Sequence, residues 1–159
     1  MIPILMYHRI VPVPEHPGLA GLSVSLHAFR WQMAYLQRAR LRCLSLADVV
    51  RARREDKSMP RKCVVLTFDD GYRDMLAHAS PVLADCGFTA TVFLVAGRIG
   101  MASAWPGQDG ANAAPLLTWD EVTTLAQAGL GMGSHSLTHP NLVSLDADSA
   151  AHEIRQSRA

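Results

Sequence analysis
Two short polar clusters in this chain hold residue types that do chemistry at spacings that let them act together. The first is Thr67-Phe68-Asp69-Asp70-Gly71-Tyr72, which closes the apolar run 63–66 with two adjacent carboxylates. Successive side chains of an extended strand point to opposite faces, so Asp69 and Asp70 share a site only where the strand ends and the chain turns, a turn that Gly71 permits. Carboxylates that reach a site from different directions suit a division of labour in which one binds a cation and the other moves a proton. The second cluster, residues 133–142, reads GSHSLTHPNL and sets His135 and His139 four positions apart directly after a predicted strand. One helical turn or a tight loop brings both imidazoles to one point; Pro140 disfavours a helix through His139, so a loop is expected.

One carboxylate with two imidazoles is a mixed oxygen and nitrogen donor set that suits a borderline divalent ion and leaves positions open for water and substrate. Zinc fits first, and cobalt, nickel or manganese fit the same set. A lone H-x-x-x-H carries little weight; the DDG at another strand end supplies it.

The elements that must position these clusters follow from hydropathy patterning. Residues 3–7 form an apolar run too short for a helix, hence a buried strand, and residues 11–25, with three prolines and two glycines, read as a loop. Over 26–40 the residues Phe29, Met33 and Leu36, with Trp31 and Tyr35, recur at helical spacing and predict an amphipathic helix. A short strand over 42–46 and a helix over 46–55 follow, with Arg51, Arg53 and Arg54 as its solvated face. The strand that delivers Asp69 and Asp70 leads into a helix over 73–86, with Asp74 placed for its dipole and Gly87 as its stop. Residues 88–95, FTATVFLV, predict a strand, 97–115 an irregular loop, and 118–128 a helix opened by a Thr118–Glu121 capping box. A strand over 130–134 and a helix over 144–157 complete the chain. Alternating strands and helices argue for a parallel sheet with crossover helices, whose sites form at the carboxyl ends of strands. Both polar clusters stand there.

At 159 residues, 49% hydrophobic and 18% charged, the composition is that of one globular domain. A net charge of +1 without a basic stripe gives no reason to expect nucleic acid or an anionic membrane as partner. Cys43, Cys63 and Cys86 show neither disulfide nor C-x-x-C spacing and read as free thiols. The opening MIPILMYHRI lacks a basic lead and a cleavage site, and no run is long enough to span a bilayer, so the chain as given is expected in the cytoplasm.

Four segments in chain order, ILMYHRI at 4–10, TFDDGY at 67–72, LTWDEV at 117–122 and GSHSLTHPNL at 133–142, resemble the polysaccharide deacetylase family, also called the NodB homology domain. The resemblance implies an α/β fold, a partial (β/α) barrel of the deformed polysaccharide-deacetylase type with its C-terminal half missing, residues 1–159 being one incomplete catalytic domain. It implies a metal-dependent hydrolase that removes N-acetyl groups from N-acetylglucosamine-containing polysaccharide or oligosaccharide. Carried over residue by residue, Asp69 is the general base, Asp70, His135 and His139 are the metal ligands, and Ser134 and Asn141 stand at most behind them. The ion lowers the pKa of a bound water from about 15.7 towards 7, and Asp69 takes its proton. The general acid for the departing amine, a histidine in a later L-x-H motif, and an arginine-and-tyrosine motif are expected past Ala159. A sheet cut at that point has an open edge, through which self-association is expected.

Other residues are weighed against this reading. His8 ends the first strand, where it projects into the same mouth or packs. Trp105 reads as a hydrophobic plug ahead of a sugar-stacking ring, Trp119 as core or cleft wall, Met101 and Met132 as packing, and His16, His27, His78 and His152 have no partner motif. Two rival functions remain: a catalytically inactive carbohydrate- or metal-binding fragment, and an iron(II) oxygenase with two histidines and one carboxylate. The usual scaffold of the latter is all-β, which the alternating pattern opposes.

Overall fold
The computed structural model describes residues 2–13, 21–105 and 113–158. Its frame is a parallel sheet. β5 (Cys63–Phe68) lies at the centre, with β1 (Ile4–Tyr7) on one side and β6 (Thr91–Leu94) then β7 (Gly131–Ser134) on the other; β4 (Arg42–Cys43) pairs with the start of β5. All six residues of β5 are buried, as a strand covered on both faces requires. The register pairs Tyr7 with Phe68, Phe68 with Val92 and Leu94 with Ser134. His8, Asp69 and His135, each the residue after a strand, therefore leave the sheet along one edge.

Alternation along the strands sends Tyr7, Val64, Leu66, Phe68, Val92 and Leu94 to the face where the helices pack. α1 (Leu26–Arg38) contributes Phe29 and Met33, α3 (Ser80–Cys86) Val82 and Leu83, and α4 (Trp119–Gln127) Val122 and Leu125. Tyr7, Phe29 and Phe68 meet with ring centroids 5.3–5.9 Å apart directly under the carboxyl end of β5. Burying each such side chain contributes about 1.5–3 kcal/mol, so the floor beneath the two aspartates is among the firmest parts of the molecule.

Helix starts follow capping chemistry read from the sequence. Ser25 caps α1, Ser45 caps α2 (Leu46–Arg54), and Asp146 caps α5 (Ala147–Gln156), each side chain accepting a first-turn N–H. Thr118 and Glu121 form the expected capping box on α4. Gly87 ends α3 in the left-handed conformation, φ 65°. Arg51, Arg53 and Arg54 are exposed, as expected of a solvated face, with Arg51 paired to Asp48.

Several expectations need correction. Part of the predicted loop over 11–25 is ordered as strand: β2 (Arg9–Val11) pairs in parallel with β3 (Ser23–Ser25), while residues 14–20, with His16, lie outside the described residues. Asp74 does not cap its own helix. It accepts from Arg9 Nε at 2.8 Å and from the Ile10 N–H at 3.0 Å, and so ties β2 to the turn after β5. The helix predicted over 73–86 opens as a π-helical turn, Met75–Ala79, in which the Ser80 N–H reaches back to the Met75 carbonyl. Pro81 has no N–H to offer the ladder, and the wider turn absorbs that loss. Trp31 and Tyr35 are not part of the buried stripe of α1. They are 62% and 57% exposed and stack on each other, because Phe29, Met33 and Leu36 already fill the core-facing side. Met101 is likewise exposed.

Cys63 is buried, Cys43 and Cys86 half-buried, and all three are free. No helix among the described residues is long and apolar enough to cross a membrane.

Candidate metal centre
At the end of β5 the chain reverses through two consecutive left-handed residues, Asp70 at φ 71° and Gly71 at φ 73°. A left-handed aspartate is uncommon, and its strain persists only where surrounding structure over-determines it. A Cβ at Gly71 would also stand 2.9 Å from Leu94 Cδ2, so that side chain would have to shift. The reversal sends Asp70 inward, 3% exposed, and leaves Asp69 beside it with its own N–H donated to the Tyr7 carbonyl at 2.9 Å.

Facing Asp70 is the turn after β7. His135 continues the strand, its N–H bonded to the Leu94 carbonyl at 2.8 Å, and Ser136 and His139 both adopt positive φ, 64° and 65°. Residues 135–139 therefore form a tight loop and not a helix, as Pro140 foretold. His135 Nε2 lies 3.3 Å and His139 Nε2 3.2 Å from the same atom, Asp70 Oδ1. That oxygen is fully buried yet accepts no well-directed hydrogen bond. A buried carboxylate oxygen without a hydrogen-bond partner is costly. Two imidazole nitrogens aimed near it but not at it fit a common point between all three ligand atoms, which lie within 4.8 Å of one another. The donor set and its geometry thus fit a divalent ion held by Asp70, His135 and His139.

The electrostatics separate the two aspartates. Burial alone raises the Asp70 carboxyl, but the His135 and His139 imidazoles, with the charge of His8, outweigh it and hold Asp70 well below the usual carboxylate range. For Asp69 burial dominates and raises its pKa; the charge of Asp70 adds to this, while His135, His8 and His139 oppose it. His135 is raised by its contact with Asp70, against the effect of burial. Adjacent carboxylates thus acquire different proton affinities, one fixed as an anion and the other shifted towards accepting a proton. His8, half-buried directly after β1, leaves the sheet at the same edge as Asp69.

Neighbouring walls complete the site. Trp105 is buried, its ring centroid 4.5 Å from that of His139, and its Nε1–H donates to the Tyr72 hydroxyl at 3.2 Å. It is a plug, as expected, but one pressed against a candidate ligand. The rest of its loop, residues 106–112, lies outside the described residues. Trp119 is 59% exposed and flanks a hollow beside Ser134, so it is not part of the core. Ser134 bonds Ser157 and Asn141 is exposed, its carbonyl accepting from Ser144. A cavity of about 520 Å³ opens beside the imidazoles, lined by His135, His139, Pro140, Leu142, Ile154 and Arg158.

Sequence reasoning missed two residues that shape this centre. Gly97 passes so close to the 135–139 loop that a Cβ would meet the Leu137 carbonyl oxygen at 2.7 Å, and Glu153, on α5, is buried against the same loop. Neither carries a motif signal; only proximity reveals them.

A parallel sheet with an aspartate pair and two histidines at its carboxyl edge defines an α/β frame whose Asp70, His135 and His139 could hold a metal ion. Comparison with known proteins agrees: the family profile described as polysaccharide deacetylase matches residues 56–159. The chain belongs to the polysaccharide deacetylase family. It is 30% identical over 157 residues to YxkH of Bacillus subtilis (strain 168), whose name places it in the same family, covering 99% of this chain and 50% of that protein. Over 62 residues it is 40% identical to the poly-beta-1,6-N-acetyl-D-glucosamine N-deacetylase of Escherichia coli (strain K12), covering 39% of this chain and 9% of that one. Among solved structures, the Streptococcus pyogenes deacetylase PplD in complex with acetate superposes with a TM-score of 0.80 at 29% identity, over 98% of this chain and 65% of that one. The chain thus spans half the length of YxkH and about two thirds of PplD.

Proposed function
We propose that this chain carries the catalytic centre of a metal-dependent hydrolase that removes N-acetyl groups from N-acetylglucosamine-containing polysaccharide or oligosaccharide. The observation that carries the reading is the buried Asp70 Oδ1, unpartnered by any hydrogen bond and faced by Nε2 of His135 and of His139. The substrate class is supported by the activity for which the Escherichia coli relative is named. Asp70, His135 and His139 would hold the ion, zinc first, with cobalt, nickel or manganese fitting the same donors. When bound, the ion supplies Lewis acidity towards the acetyl carbonyl and an acidified water.

The protein's own groups do the rest. Asp69 is outside the ligand set, beside it, and shifted by burial towards proton affinity, which suits a general base. Asp70 stays ionised. The cavity beside the imidazoles gives a sugar room to approach, and Trp105 walls the far side of His139.

The test uses the intact protein loaded with zinc and N-acetylglucosamine oligomers, with released acetate as the readout. Asp69→Asn should lose about 10²–10⁴-fold in rate while retaining zinc, whereas Asp70→Asn should lose the ion. Wild-type acetate release by Asp69→Asn would refute the assignment of the base.

A further inference from the structure
The distance between the two imidazoles is set by the three residues that separate them, Ser136, Leu137 and Thr138. Left-handed residues at Ser136 and His139 give this segment no regular ladder; within it the His139 N–H donates to Ser136 Oγ at 3.1 Å, and further restraint comes from neighbouring segments. One side is held by backbone: the carbonyls of Ser136 and Leu137 accept from the N–H groups of Ala96 and Gly97 at 3.1 and 2.8 Å. The other side is held by a single side chain. Glu153 Oε2 accepts from the N–H groups of Leu137 and Thr138 at 2.9 and 2.8 Å, and Glu153 Oε1 accepts from the Thr138 hydroxyl at 2.7 Å.

Glutamate is rarely this buried without a cation, and Glu153 is 8% exposed. Among the described residues no lysine or arginine pairs with it; three donors from one loop take that place. Hydrogen bonds to an ionised acceptor are the short, strong kind, and here all of them converge on the backbone between the candidate ligands.

We propose that Glu153 is a positioning residue that fixes the separation and direction of the His135 and His139 rings, an inference that rests on the metal reading above. It touches neither the ion nor a substrate and acts through the loop. Residues that orient metal ligands typically change affinity by about 10–100-fold when lost.

The experiment compares wild type, Glu153→Ala and Glu153→Gln of the intact protein in two measurements. Zinc affinity is read by competition with a chromophoric chelator, and hydrogen exchange of the Leu137 and Thr138 amides is read on metal-free protein. Glu153→Ala should lose amide protection and bind zinc about 10–100-fold more weakly. Glu153→Gln should stay within a few-fold of wild type on both, because its amide oxygen replaces Oε2 and its NH₂ can donate to the Thr138 hydroxyl oxygen. Val82→Ala, a core change on α3, controls for general loss of stability and should leave zinc affinity unchanged. Wild-type zinc affinity in Glu153→Ala, or a loss equal to that of the Val82 control, overturns the role given to Glu153 and leaves the metal reading standing. Failure of the wild type itself to take up zinc refutes the metal reading and this inference with it.

Discussion

Replacing Gly97 with alanine tests how tightly the loop that carries the two histidines is seated. The Gly97 N–H donates to the Leu137 carbonyl at 2.8 Å, and an added Cβ would stand 2.7 Å from that same oxygen. Ordinary contact begins near 3.4 Å, so the two backbones must part by about 0.7 Å. Neither is free to move. Leu137 is held from behind by Glu153, and Gly97 follows β6, paired on both sides in the sheet. The backbone at Gly97 is not left-handed, so alanine brings no conformational penalty. By restricting the unfolded chain, it should gain about 0.4–1 kcal/mol. Overpacking costs about 1–3 kcal/mol and wins. A net loss of about 1–2 kcal/mol corresponds to a fall in Tm of roughly 2–8 °C for a chain of this size. A displacement of that size also exceeds the roughly 0.5 Å that a preorganised site tolerates, so zinc affinity should fall by about tenfold or more. Thermal unfolding and zinc competition on Gly97→Ala measure both, with Gly21→Ala, where a Cβ meets open space, as control. If Gly97→Ala is as stable as wild type and binds zinc equally well, the loop is not fixed by this contact and the packing argument fails.

Two further outcomes follow from the same geometry. Burial alone raises the Glu153 carboxyl, but the Thr138 hydroxyl and the Thr138 and Leu137 amides outweigh it and lower its pKa. A lowered folded-state pKa gives stability that is present above the unfolded value, about 4.3, and is lost as pH falls through the folded one. Denaturant unfolding of wild type and Glu153→Gln should therefore differ most near neutral pH and converge below about pH 4; a constant gap across that range contradicts the ionised clamp. At Trp105, phenylalanine keeps a ring against His139 but removes the donor to the Tyr72 hydroxyl, at a cost of about 1 kcal/mol. Alanine empties the site and should cost about 3–5 kcal/mol, with weaker zinc binding. Equal losses in urea titrations of the two variants would show that the hydrogen bond, and not the ring, holds His139.

Much of the frame was legible because it depends on local patterning. β5 and β6 read as strands from their apolar and β-branched runs, α1 from its Phe29–Met33–Leu36 stripe, and α4 from its capping box, all features that neighbouring residues decide among themselves. The errors share a cause. Trp31 and Tyr35 match helical spacing as well as Phe29 does, and only the position of the sheet decides which side is buried. Asp74 has the right type and place to cap a helix, yet Arg9 and Ile10, distant in the chain, claim its carboxylate. β2 and β3 are too short to announce themselves and are ordered by that same tertiary tie.

The sequence by itself determined the chemistry on offer: which residues can donate to a cation, that Gly71 allows a reversal after Asp70, and that Pro140 turns the His135–His139 pair into a loop. These are properties of residue type and spacing along one stretch of chain. Only the tertiary structure decided that Asp70 Oδ1 faces both imidazoles without a hydrogen bond of its own, that the ligand atoms of Asp70, His135 and His139 converge, and that Glu153 and Gly97 grip the loop between the histidines. Such facts depend on parallel register and on close approach between segments far apart in sequence, which no local pattern encodes.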